Sequence, residues 1–222
     1  MFYQTVTTAM ALLAAFTAFH ARGAIIQPVT AIASSDARPS VDAANGNGLA
    51  SPLATGDPLP VSYPNHTSDP NNTMWAAGSE AVPFIVFDLG AVYDLGGFHV
   101  WNFNQPGFSA VGARNVSVTF STTSAVAGFG SPELFSGADE FGIAPEAPYA
   151  GEDKMFDAVQ TARWVRFDVL TDWGNPVNRA GLSEVRFFEF VGLVPEPTSC
   201  LMLGLGAIGL VTASRRRAKR LS

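Results

Sequence analysis

Between positions 25 and 190 the apolar residues come in short runs, either alternating with polar ones or standing alone between Gly, Pro, Asn and Asp. No stretch keeps the 3.6-residue period of an amphipathic helix. In 114–121, Val116, Val118 and Phe120 fall on one side and Asn115, Ser117 and Thr119 on the other. Val165, Phe167 and Val169 repeat the pattern against Arg166 and Asp168. Strict alternation sends successive side chains to opposite faces of a half-buried strand. The pattern predicts strands over 25–34, 84–89, 97–103, 114–121, 163–170 and 182–190. Such strands need a second sheet over their apolar faces, so an all-β sandwich is the expected architecture. Long polar segments, 36–81 and 124–156, lie between them, and loops of this length on a rigid sandwich are where binding is expected.

The two ends break this pattern. Residues 7–19 form an apolar run rich in Ala, Leu and Phe, followed by small residues at Ala21 and Gly23. That is the layout of an N-terminal signal helix cleaved after Gly23, although no Lys or Arg precedes the run. At the other end, Val194-Pro195-Glu196-Pro197 precedes an uncharged, mostly apolar stretch of 17 residues, 198–214, and then Arg215, Arg216, Arg217, Lys219 and Arg220. Seventeen residues is the lower limit for a helix crossing a bilayer core of ~30 Å. Basic residues stay on the cytoplasmic side, so the body before Val194 is expected outside. A plain C-terminal anchor accounts for length and charge as a sorting tail does.

Removing both ends leaves residues 24–193, enough for one domain with a substantial core. That body holds 7 Lys and Arg against 18 Asp and Glu, a net charge near −11. Nucleic acid, which needs a basic footprint, is thereby disfavoured as a partner. Cys200, the only cysteine, lies in the apolar tail, so the body has no disulfide to staple it. Enzymatic signatures are thin. The body's histidines are His66 and His99, and neither a Gly-x-Ser-x-Gly elbow nor a His-Glu-x-x-His run occurs. The adjacent acids Asp139-Glu140 and Glu152-Asp153 read as solvated loop charge, and the expectation is a non-catalytic protein.

The order Pro-Glu-Pro, apolar helix, Arg cluster resembles the PEP-CTERM signal of bacterial surface and exopolysaccharide-associated proteins. The resemblance implies a transmembrane sorting helix removed by a membrane-embedded processing protease (exosortase), and delivery to the envelope or matrix. The body also carries an ordered set of segments: 29–35, 40–49, Met74-Trp75, 86–90, 98–104, 114–122, 162–167 and 181–187. Together these resemble a discoidin, or coagulation-factor type C, domain of the galactose-binding-like superfamily, which includes many carbohydrate-binding modules. The resemblance implies a jelly-roll β-sandwich with any ligand site in loops at one end.

It also implies a structural Ca2+ tying an early Asp/Asn-Gly loop to a Glu near the last strand. The matching positions are Asp42, Asn45, Asn47 and Glu184, with Thr73 a further candidate. Oxygen donors suit that hard cation. Asn45-Gly46-Asn47-Gly48 also suits plain tight turns, and the family's Asp-Gly spacing is not kept. Sugar sites set an aromatic ring against the apolar sugar face and polar groups against the hydroxyls. Trp173 is the best platform, in a polar turn with Asn175, Asn178 and Arg179, and His66 is a candidate beside Asn65 and Asp69. Trp173 as a cap on the sandwich end, with Arg179 paired to a carboxylate, remains open. Trp75 and Trp101 read as core. The functional expectation is an exported carbohydrate-binding module, with a structural or adhesive matrix protein as the alternative.

Overall fold

The computed structural model describes residues 23–176 and 179–192. The expected signal helix, the tail from Val194 onward with its Arg215–Arg217 cluster, and Asn178 lie outside the described residues. Eight strands are formed: β1 (Ile25–Ile26), β2 (Thr30–Ala33), β3 (Trp75–Ala76), β4 (Phe84–Asn102), β5 (Ala113–Ser121), β6 (Glu133–Phe135), β7 (Glu152–Asp172) and β8 (Gly181–Glu189). The runs expected over 114–121 and 182–190 match β5 and β8 to within a residue. The run expected over 25–34 is divided instead. Pro28 has no N–H for a ladder, and the pieces join different partners: β1 pairs with β8 and β2 with β4.

The runs expected over 84–89 and 97–103 are one bent strand, β4. Its start, Phe84–Asp88, pairs with β2 and with the end of β7, while Leu95–Asn102 pairs with β8. Register shifts between Asp88 and Tyr93 and between Leu95 and Gly97 make the bend. A side chain is impossible at Gly97, where a Cβ would lie 2.3 Å from the Lys154 carbonyl oxygen. β7 crosses in the same way. Its end pairs with β5, which in turn pairs with β6, and its start pairs with the second half of β4. One layer is thus β2, early β4, late β7, β5 and β6; the other is β1 and β3 beside β8, late β4 and early β7. The body is an all-β sandwich.

Phenylalanines from the two layers meet in the middle. Phe87 and Phe167 from one, and Phe98 and Phe187 from the other, pack at centroid distances of 4.9–6.1 Å. Each ring removed from water contributes about 1.5–3 kcal/mol. Trp75 is buried in this core. Trp101 is buried too, but on the other side of its sheet. There it packs with Ile25, Leu53, Leu49, Leu59, Tyr63 and Tyr149. The polar segment 36–81 is therefore no free loop over much of its length. It lies across the outer face of β8 and late β4 and supplies that second core, and its Pro64 carbonyl accepts the Trp101 Nε1–H at 3.1 Å.

Candidate functional site

Strand ends bring three segments to one end of the sandwich. Ala113 of β5 pairs with Asp172 of β7, Gly112 bridges Gly181 of β8, and Ala77 N–H donates to the Ala180 carbonyl. The connections 77–83, 103–112 and 173–180 consequently lie together. The β7–β8 turn is built by Asp172, whose Oδ1 accepts the N–H groups of Gly174 at 2.8 Å and Asn175 at 3.1 Å. Gly174 has φ +91°, which favours glycine. Asn175 is buried and donates its Nδ2–H to the Arg179 carbonyl at 3.1 Å, so it shapes the turn from within.

Trp173 is half-buried in this turn, and its N–H reaches the Ala110 carbonyl at 3.2 Å. The guanidinium of Arg114 lies over one face of the indole, 4.6 Å from the ring centroid, and is held by Glu140 Oε2 at 2.9 Å. The indole Nε1–H is buried without a hydrogen-bond partner among the described residues. Phe108, two residues before Ala110, is half exposed. Arg179 is exposed, and among the described residues it forms no ion pair with a carboxylate. It lines a groove of about 200 Å³ with Glu80, Pro83, Leu170, Thr171 and Asp172. Glu80 is anchored there by the hydroxyls of Ser34 and Ser35. Charged, hydroxyl and apolar groups thus line one small concavity.

The remaining candidates lie elsewhere. His66 is fully buried, which removes it from any exposed ligand loop. Its Nδ1–H donates to the Thr67 carbonyl at 2.8 Å, and a Cβ on Gly48 would fall 2.0 Å from its Nε2. Burial pushes the imidazole down to about 4, the Arg186 charge adding to the effect and the Thr67 carbonyl opposing it. Glu184 is also fully buried, and burial pushes it up to about 7, against the pull of Arg186 and the Gly46 N–H. Asp42 is buried, raised by that burial, and bonded through Oδ1 to the Asn45 amide at 2.9 Å. Asn45 Oδ1 accepts the Asn47 N–H at 2.8 Å, Asn47 Nδ2 donates to the Asn72 carbonyl, and the Thr73 hydroxyl donates to the Asp69 carbonyl. Among the described residues, no group of three or more His, Cys, Asp and Glu side chains converges on one point.

Sequence reasoning missed Arg114, Glu80 and Thr171 at the groove end. Thr171 directly precedes the turn, while Arg114 of β5 and Glu80 of the 77–83 connection are brought to Trp173 and to Arg179 respectively only by the fold. It also missed Arg186, which alternation gave no reason to place inside. His99 and Trp101 were rightly placed within a strand. His99 is stacked on Tyr63 at 3.5 Å, with one ring nitrogen on Asp153 Oδ1 at 2.7 Å and the other on the Ala150 carbonyl at 2.6 Å.

Comparison with known proteins adds to this geometry at the tail first. Residues 193–217 match the model of the PEP-CTERM protein-sorting motif. The chain carries that sorting motif. Among curated proteins, none matches the sequence. Among solved structures, a fucose-binding module of Streptococcus pneumoniae (SpX-3) aligns with a TM-score of 0.50 at 10% identity, over 75% of this chain and 98% of that one. The lectin domain of lectinolysin complexed with Lewis B antigen aligns at 0.49 and 14% identity, covering 75% and 96%. The family 32 carbohydrate-binding module of NanJ from C. perfringens, in complex with galactose, aligns at 0.47 and 16%, covering 75% and 98%. The body shares the expected β-sandwich fold with that fucose-binding module.

Proposed function

We propose that this protein is an exported, non-catalytic carbohydrate-binding domain acting at the bacterial cell surface or in the exopolysaccharide matrix. The observation that carries this reading is the concavity beside Arg179, bounded by Asp172, Thr171, Glu80 and Pro83, with the half-buried Trp173 following Asp172 in the same turn. Arg179 donates to sugar hydroxyls, Asp172 and Glu80 accept from them, and Pro83 and Leu170 present the apolar patch a sugar ring needs. The groove is small, about 200 Å³, and open to the surface. The fold is shared with a fucose-binding module, which supports sugar recognition by fold-level analogy.

Neither histidine of the body is free to act as a base. Both ring nitrogens of His99 are engaged, and His66 is sealed in. A single shallow site binds weakly, so retention in a polysaccharide rests on many copies. In this reading the Pro-Glu-Pro tail directs export and transient anchoring in the inner membrane, and an exosortase-like protease removes it. Mass spectrometry of the native protein tests that step: loss of Arg215–Arg217 supports it and an intact basic end refutes it.

One observation favours the rival reading, a structural or adhesive matrix protein without a sugar site. Arg114 covers a face of Trp173, as a capping residue would be covered. A glycan array separates the two. Saturable binding lost in Arg179→Ala supports the sugar site; retention of no glycan supports the matrix role.

A further inference from the structure

Arg186, 1% exposed, is buried on the outer face of β8 beside Glu184. Its Nε–H donates to the Leu53 carbonyl at 3.0 Å, and Nη1 donates to the Ala44 carbonyl at 3.2 Å and to Glu184 Oε1 at 2.5 Å. The other oxygen of Glu184 accepts the Gly46 N–H at 2.7 Å. One carboxylate on the last strand and two carbonyls of the early loop thus converge on one positive group. Carboxylate and backbone carbonyl oxygens gathered from separated segments are the donor set of a hard divalent cation.

Here that set is already filled. A Ca2+ ion takes 6–8 oxygens at about 2.3–2.6 Å. Placed against Glu184, it would compete with the guanidinium for the same oxygens and face its charge. The other expected ligands do not gather at this point. Asn45 Oδ1 is committed to the Asn47 N–H, and the Asp42 carboxylate accepts the Asn45 amide through Oδ1 at 2.9 Å. Its second oxygen is buried without a partner, but one donor does not hold a divalent ion. The residues do not fit a calcium site at Glu184.

Gly46 completes the arrangement. Its φ of +75° turns the N–H onto Glu184, and a Cβ there would lie 2.7 Å from Arg186 Nη2. The guanidinium is planar and permanently charged, with donors in a fixed fork. It reaches four oxygens on two segments, the Val185 carbonyl included, where an ammonium reaches them less well.

We infer that Arg186 is a built-in structural cation: its guanidinium holds the 44–53 loop to Glu184 of β8, and the domain folds and persists without calcium. Breaking this pair is costly because it strands a buried charge. The protein then keeps its outer layer in surroundings that sequester divalent ions.

Thermal unfolding of the full chain, with millimolar calcium and with a chelator, tests this directly. The expected result is one melting midpoint in both conditions. A midpoint that climbs with calcium and falls in chelator overturns the assignment. Arg186→Met, which keeps length and removes charge, is expected to melt well below the parent, with calcium restoring part of the loss at the vacated oxygens. Should it fail to fold, Arg186→Lys serves in its place, with an intermediate midpoint and no calcium response. Either variant melting as the parent does overturns the inference. These readouts involve no sugar, so their outcome is separate from that of the glycan site.

Discussion

The Arg114 guanidinium lies 4.6 Å from the centroid of the Trp173 indole, joining β5 to the β7–β8 turn across 59 residues of sequence. The contact fixes the ring's tilt and leaves one face uncovered by that side chain. A partly exposed cation–π pair contributes roughly 0.5–1 kcal/mol. Arg114→Ala is therefore expected to weaken glycan binding about two- to five-fold by loosening the ring. Trp173→Ala should weaken it ten-fold or more, a loss of about 1.4 kcal/mol or greater. Isothermal titration with a bound glycan measures both; equal, negligible effects would remove Trp173 from the site.

Arg179 and Asp172 separate binding from folding. Arg179 is exposed and without an ion pair among the described residues, so Arg179→Ala should abolish binding and leave the melting midpoint unchanged. Asp172→Ala removes the acceptor for two turn N–H groups and should cost about 1–3 kcal/mol of stability as well as affinity. Chemical denaturation alongside binding tells the two apart.

His66 sets an acid limit. Its folded-state value is lowered from 6.5 to about 4, so between those pH values the unfolded chain holds a proton that the folded chain does not. Stability attributable to this group is intact above pH 6.5 and lost progressively as pH falls towards 4, by about 3 kcal/mol in all. His66→Asn keeps a donor for the Thr67 carbonyl without the titration. Urea unfolding from pH 7 to 4 should show a shallower acid decline in the variant; parallel curves would contradict this.

Phe98 is the hub of the aromatic core, in ring contact with Phe135, Phe141, Phe156, Phe167 and Phe187. Phe98→Ala should lower stability by about 3–5 kcal/mol, measured by denaturant unfolding. Phe108→Ala, at a half-exposed ring, should cost almost nothing in stability.

The sandwich was legible wherever one face of a strand is wet. Val116, Val118 and Phe120 alternate against polar neighbours, and β5 follows from them. The first half of β7 was not legible because its pattern is inverted: Lys154 is buried, donating to the Glu140 carbonyl at 2.7 Å, while Met155 is 63% exposed. Continuity of β4 was hidden between 89 and 97, where Gly90 and Gly96 interrupt the apolar pattern and instead lie within the bent strand. The sequence marked Trp101 as core but not that a second core exists, since that depends on where a 46-residue polar segment folds back. At the groove, Trp173 and Arg179 stood out in a polar turn. Arg114 and Glu80 did not, because neither local pattern nor spacing carries a contact between distant segments.

The most direct measurement is a binding isotherm of the full chain against the best glycan from an array, run in parallel with Trp173→Ala and Arg179→Ala. The expected result is saturable binding by the parent protein and its loss in both variants, with folding preserved in Arg179→Ala. No glycan retained by the parent, or binding untouched by either substitution, would contradict a sugar site at this end of the sandwich.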